Sequence, residues 1–209
     1  MWSRGLGAII SAAVVATAFG CGSSRVAVPP RIDLAQHEIL GIIEFKSSSQ
    51  GELGPIATRE FLEAIRRDQG VVRIVEMGTE PEVLAEVGRS RLDREAYRAL
   101  SERYGVRTIL AGDLTVTNVK PAIRLSPSAG YMGVAADVDA TLATRMIEAE
   151  SGASLWNASS SATRRVGEVH VGPGGASFDA DDPERAYGDL VAALVAVVAR
   201  DFQVSWVRR

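Results

Sequence analysis

The sequence predicts an α/β (α+β) domain with a mixed, mainly antiparallel sheet flanked by helices. Three observations carry this prediction. The run Ile39-Leu40-Gly41-Ile42-Ile43-Glu44-Phe45 is apolar and rich in β-branched residues, as a buried strand requires. Ala57, Phe61 and Ile65 recur four apart, which aligns them on one face of a helix. Val134, Ala136, Val138, Ala140, Leu142 and Met146 alternate with Asp137, Asp139, Thr141 and Arg145, the period of a half-buried antiparallel strand.

The remaining elements follow in order. His37 to Phe45 is the first strand, and Ser47 to Gly54 a polar loop. Pro55 opens a helix, where its missing N–H is no loss, and Gly70 ends it. Val71 to Val75 is a second short strand. Glu80-Pro81 starts a helix that Gly88 stops. Asp93 caps the next helix, with Leu92 and Tyr97 as a hydrophobic staple. That helix carries Tyr97, Leu100 and Tyr104 and stops at Gly105. Val106 to Val116 is a third strand, and residues 117–132, which hold two prolines, read as an irregular excursion. Glu150-Ser151-Gly152 is turn chemistry, so Leu155 to Val166 pairs back on the alternating strand as a hairpin. Gly172-Pro173-Gly174-Gly175 begins a flexible loop, and Asp182-Pro183 opens a last helix with Leu190, Val191, Leu194, Val197, Val198 and Phe202 inward. The predicted order is β-α-β-α-α-β-β-β-α, a two- or three-layer sandwich.

Composition narrows the function. The chain has 209 residues, 46% hydrophobic and 23% charged, which suits one globular domain and not a disordered chain. A formal charge of −3 leaves no nucleic-acid footprint. The single cysteine, Cys21, excludes an intrachain disulfide and Cys-x-x-Cys metal or redox sites. Upstream of it lie one basic residue, Arg4, and the apolar run from Ala8 to Phe19. That run is short of the ~20 residues that span a bilayer and reads as a secretory signal peptide over residues 1–20. Its removal leaves 22 basic and 26 acidic residues. Residues 21–36, with Ser, Gly and a Pro pair, read as a flexible tether to a folded domain over 37–209.

Ala18-Phe19-Gly20-Cys21 resembles a bacterial lipobox, with Ala18 where Leu is commonest and Phe19 unusually bulky. The resemblance implies cleavage after Gly20 and a diacylglyceryl group on the Cys21 sulfur. Acylation of the new amine, palmitate being the usual chain, would follow. Several acyl chains anchor stably where one binds marginally. Gly22 after the cysteine, in place of Asp, implies outer-membrane sorting by the same resemblance, hence a domain facing the periplasm. An ordinary secretory signal with an incidental cysteine is the other reading of these residues.

The domain resembles the CsgG / LpoB / TolB N-terminal-domain-like group of curli-secretion and penicillin-binding-protein-activator lipoproteins. Three stretches carry the likeness: Leu40 to Phe45, Tyr104 to Leu114 (YGVRTILAGDL) and Met146 to Trp156 (MIEAESGASLW). They imply a non-catalytic protein-binding module in envelope assembly or cell-wall synthesis regulation, with envelope proteins, or itself, as partner. The group carries no catalytic constellation, cofactor or metal to transfer. The alternative is a subunit of a CsgG-like outer-membrane secretion pore. Against it, spanning strands need about 9–11 residues with an apolar face. Asn157, Ser159, Ser161 and Thr163 face one way and Trp156, Ala158, Ser160 and Ala162 the other, and neither set is a lipid-facing band.

Other features read as bland. His37 and His170 are the only histidines, too few for a His-rich metal site, and read as incidental to a strand start and a loop. Asp179, Asp181 and Asp182 lack calcium-loop spacing, and the glycine run lacks a phosphate-loop ending. Asn157-Ala158-Ser159 fits the glycosylation pattern by coincidence, and Arg164-Arg165 and Arg208-Arg209 read as solvated ends. The alternating strand, placed near a sheet edge, is the better partner-binding candidate. The anchor has a direct test: Cys21→Ala is expected to move the protein from the membrane to the soluble fraction, and unchanged partitioning would sink the lipoprotein reading.

Overall fold

A computed structural model describes residues 25–49, 52–117, 120–126, 131–172, 175–179 and 183–208. Its main elements are β1 (Arg25–Val28), a 3-10 turn (Leu34–His37), β2 (Ile39–Ile42), β3 (Lys46–Ser47), α1 (Leu53–Arg66), β4 (Arg73–Glu76), α2 (Glu80–Glu86) and α3 (Arg94–Tyr104). There follow β5 (Thr108–Val116), β6 (Lys120–Ser126), β7 (Tyr131–Glu148), β8 (Ser154–Gly172), β9 (Gly175–Asp179), α4 (Pro183–Val198), a 3-10 turn (Ala199–Phe202) and β10 (Ser205–Arg208).

The sheet runs β4-β2-β5-β7-β8-β9, with β3 beside β5 and β6 beside β7. β2 lies parallel to β4 and β5, while β7 joins β5, β6 and β8 antiparallel, as does β9 with β8. The mixed, mainly antiparallel sheet with flanking helices is the predicted one. The predicted elements recur in order, with β1, β3, β6, β9 and β10 added.

Two apolar clusters sit on opposite faces. α1 and α4 cover one, where Phe61, Ile65, Leu190 and Leu194 meet Leu40, Leu110, Val138 and Leu142. α2 and α3 cover the other, where Val83, Tyr97 and Leu100 meet Ile43, Ile109 and Ile147. The expected stripe Ala57-Phe61-Ile65 is fully buried. Each large apolar side chain so buried contributes about 1.5–3 kcal/mol.

An aromatic chain runs through the first cluster. The Phe45 and Phe61 rings lie 5.3 Å apart, Phe61 meets Phe202 edge-on at 5.9 Å, and Phe202 meets Trp156 edge-on at 4.7 Å. Such pairs are worth about 0.5–1.5 kcal/mol beyond their burial. Gly112 makes room for it, since a Cβ there would stand 2.8 Å from the Phe45 ring. Thr58 holds the Phe45 backbone: its Oγ1 accepts from Phe45 N at 2.8 Å and donates to Gly54 O at 2.9 Å.

Local signals place the helix ends. Asp93 Oδ1 accepts from Ala96 N at 3.0 Å, and Thr79 and Glu82 form a capping box at α2. Gly105 ends α3 at φ 67°, a left-handed turn that favours glycine.

Several expectations change. The flexible tether over 21–36 does not hold from Arg25 onward: β1 pairs with β10, and Leu34 is buried in the first cluster. Ile32 N donates to Asp201 O at 3.0 Å and Leu34 N to Gln69 Oε1 at 2.8 Å, so this strap belongs to the folded body. Within 117–132, β6 pairs with the start of β7; Pro121 is tolerated because β6 is an edge strand. Gly172 pairs with Gly175 at the end of the β8–β9 ladder, where a loose loop was expected. Val71 lies outside the second strand and Val197 is half exposed, while Val195 takes an inward place in α4.

Phe202→Ala removes the link common to α1 and β8. The expected loss is about 3–5 kcal/mol, read as a lower midpoint in thermal or urea unfolding.

Candidate functional site

The parallel strands give the molecule two ends. At their carboxyl end the chain leaves β2 for α1 on one face and β4 for α2 on the other, the kind of divide where α/β sheets open a crevice. A cavity of about 620 Å³ lies there, lined by Glu44, Phe45, Lys46, Ser47, Thr79 and Arg89 among others. Burial, then the neighbouring Glu82 and Glu52, hold the Glu44 carboxyl above the usual carboxylate range.

At the amino end a second cavity, about 650 Å³, is lined by Gln36, His37, Arg98, Arg107 and Glu148. His37 Nδ1 lies 3.0 Å from Thr108 Oγ1. Burial pulls its imidazole below the ordinary value, opposed by Asp33. A hydroxyl partner satisfies this ring without making it a general base.

The third feature is the face of β5, β7 and β8 opposite α4. Where α2 and α3 stop, Asp113, Thr115, Ala143, Asn157, Ser159, Ser161 and Thr163 stand exposed. A shallow groove of about 280 Å³ crosses it between Asp113, Arg145, Asn157 and Ser159. Burial raises the pKa of the Tyr97 phenol, opposed by the Arg145 guanidinium. Thr141 Oγ1 and Ser161 Oγ, directly across from each other, are 2.8 Å apart, and Thr163 Oγ1 donates to Asp139 Oδ1 at 2.7 Å. Beside this face runs a free edge. β9 covers β8 only from Glu168 to Gly172, so among the described residues no strand lies on the outer side of Ser154 to Gly167.

The alternating strand, expected near a sheet edge, is β7, which is interior; the edge beside it is formed by β8 along Ser154 to Gly167. The two-sidedness read for 155–165 is present, with Asn157, Ser159, Ser161 and Thr163 exposed, and Trp156, Ala158 and Ala162 packed on the first cluster. The basic pair Arg164-Arg165 is engaged: Arg164 binds Asp189 of α4 at 2.8 Å and Arg165 approaches Asp137 of β7 at 3.5 Å. His170 lies in β8 opposite Ser177, and Asp179 ends β9. Cys21 and the cleavage-site residues Ala18, Phe19 and Gly20 lie outside the described residues, as do Asp181, Asp182 and Arg209. Among the described residues no group of three or more His, Cys, Asp or Glu is placed to hold a metal ion. No helix among them is long and apolar enough to cross a membrane. Sequence reasoning missed Asp113 and Arg145 as groove residues, because their meeting depends on the β5–β7 register, Asp113 opposite Ala143.

The class defined is an α/β domain with a mixed sheet, three layers deep over its parallel half. No family model matches this chain, and no curated protein does. Solved structures with a similar chain path include the PelC dodecamer of Paraburkholderia phytofirmans, at 12% identity over 87% of this chain and 97% of that one, TM-score 0.43. A lipoprotein of Neisseria meningitidis, GNA1162, matches at 14% identity over 61% and 83%, TM-score 0.40. The LpoB C-terminal domain of Escherichia coli matches at 14% identity over 60% and 82%, TM-score 0.35. Likenesses this distant give this chain no partner and no activity.

The half-buried His37 links stability to pH. Its folded pKa lies below the unfolded value of 6.5, so the unfolded chain binds more protons as pH falls through 6.5 toward the folded pKa. This contribution to stability is fully present above pH 6.5 and lost below it. His37→Gln is expected to flatten that part of the profile, measured as the difference in unfolding midpoint between wild type and variant across pH 5 to 8.

Proposed function

We propose that this chain is a lipid-anchored envelope lipoprotein, held through Cys21 and facing the periplasm from the outer membrane. It works without catalysis, by binding an extended segment of an envelope protein along β8. The observation that carries the reading is the open outer edge of β8 from Ser154 to Gly167. An uncovered edge offers alternate N–H and C=O groups to an added strand, and the backbone itself supplies the affinity. Asn157, Ser159, Ser161 and Thr163 flank that edge with short polar side chains on one face. Asp113 and Arg145 beside them supply a charge of each sign for selecting partners. Envelope assembly and cell-wall synthesis regulation are the settings that the sequence resemblance suggests for such binding.

The pore reading has less support. Along β8, Asn157, Ser159, Ser161 and Thr163 stand exposed on one face while Trp156, Ala158 and Ala162 pack on the first cluster, so neither face is the apolar band a membrane-spanning strand needs.

A photo-crosslinking residue at Ser159 or Ser161 would lie about 4.5–5.5 Å from the facing residue of an added strand. In intact cells these positions are expected to yield a discrete adduct with an envelope protein, while the α3 surface position Arg98 yields none. No adduct from β8, or equal capture from position 98, would overturn the reading.

A further inference from the structure

The two termini meet in a ribbon whose surface is unlike the rest of the molecule. β1 and β10 pair antiparallel, with Arg25 opposite Arg208, Val26 opposite Val207, Ala27 opposite Trp206 and Val28 opposite Ser205. All eight residues are exposed, Trp206 by 65%, Val207 by 47% and Val26 and Val28 by 37% each. Opposed residues share a face and successive ones alternate. One face therefore carries Arg25, Ala27, Trp206 and Arg208, and the other Val26, Val28, Ser205 and Val207. Packing explains neither face.

The charges sharpen the point. Like charges directly opposite across a strand pair destabilise it. Arg25 and Arg208 stand so, and among the described residues neither has an ion-pair or hydrogen-bond partner. The acids at the ribbon's base are occupied. Asp201 takes Arg31 and the Trp156 indole N–H, Asp68 takes Val204 N, and Asp33 caps Ala35 N. In a chain of net charge −3, an uncompensated arginine pair beside an exposed indole is a local arrangement suited to an external anion.

We propose that the β1–β10 ribbon rests in the headgroup layer of an anionic lipid membrane and seats the amino end of the sheet against it. The inference builds on Cys21 as the lipid-bearing residue. Arg25 is four residues after Cys21, so at full extension the ribbon starts within about 14 Å of the acylated residue. An exposed tryptophan flanked by arginines suits the polar–apolar boundary: the indole lies at headgroup depth and the guanidiniums meet phosphates. Val71, 98% exposed, belongs to the same end. It lies on the loop whose Asp68 and Gln69 clamp the ribbon's base, Gln69 Nε2 donating to Ile32 O and Phe202 O at 2.7 Å.

This seating sets an orientation. β5 runs away from the ribbon end, and β6 and β9 pair with the stretches of β7 and β8 that lie beyond its carboxyl end. The antiparallel arm and the cavity beside Glu44 then point away from the membrane, and the β8 edge stands across it.

Both cores lie within residues 34–202, so a chain beginning at residue 22 keeps the whole fold and carries no lipid. Trp2 is absent from it and Trp156 is buried, leaving Trp206 as the exposed emitter. With phosphatidylethanolamine–phosphatidylglycerol vesicles, this chain is expected to co-sediment and lose Trp206 emission to brominated lipid. Phosphatidylcholine vesicles should bind it far less, and added salt should weaken binding. Arg25→Gln and Arg208→Gln are each expected to lower partitioning about fivefold. Trp206→Ser should lower it further with an unchanged circular dichroism spectrum. No quenching, or equal partitioning by the variants, would overturn the proposal. So would a dimer broken by Trp206→Ser in a chain that ignores vesicles, which would give the ribbon to a second copy. Because this chain lacks Cys21, its binding stands or falls separately from the fractionation of Cys21→Ala.

Discussion

The chain of tilted and edge-on ring contacts from Phe45 through Phe61 and Phe202 to Trp156 is the contact on which the rest of the structure depends. The rings come from the loop after β2, from α1, from the turn after α4 and from β8. Each link joins segments distant in sequence, so the chain of rings closes the parallel half of the sheet onto its antiparallel half. It tolerates little change of shape. Gly112 is bare where the Phe45 ring lies, and Thr58 fixes the Phe45 backbone from α1. In a close-packed interior such fits are felt at the level of a single methylene.

The same cluster governs what happens at the amino end. Trp156 Nε1 donates to Asp201 Oδ2 at 3.0 Å, and Asp201 also pairs with Arg31 at 3.2 Å. Gln69 Oε1 takes the Leu34 amide while its Nε2 holds two carbonyls. Strap, C-terminal turn and α1 are thereby locked together, and β1 and β10 emerge side by side. The far end has a different character. β7 and β8, of 18 and 19 residues, run on past β5, and there β6 and β9 pair with them, while the open edge of β8 lies along Ser154 to Gly167. The end built from interlocked termini suits attachment, and the uncovered length of β8 beyond it suits partner contact.

Much of this was legible in the residues. The stripe Ala57-Phe61-Ile65, the Asp93 cap, the glycine stops at Gly88 and Gly105 and the β7–β8 hairpin all follow from local rules, whereas α1 ends at Arg66, ahead of Gly70. Those rules act within a few residues, through backbone sterics and side-chain period. What failed was non-local. Arg25–Val28 reads as tether by composition, and only its pairing with Ser205–Arg208, at the other end of the chain, makes it a strand. Pro121 signals a break, yet β6 pairs on one side only, and an edge strand tolerates proline. β7 looks like an edge strand because its alternation marks one covered face, which says nothing about how many neighbours flank it.

By itself, then, the sequence determined the element types and their order, because hydrophobic period and turn chemistry are written in adjacent residues. It also carried the Cys21 motif and the two-sided character of β8. Tertiary structure alone decided which strand became the edge, that Asp113 meets Arg145 in one groove, and that Trp206 stands exposed beside Arg25 and Arg208. These depend on register and on contacts between residues far apart, whose energies no local window contains.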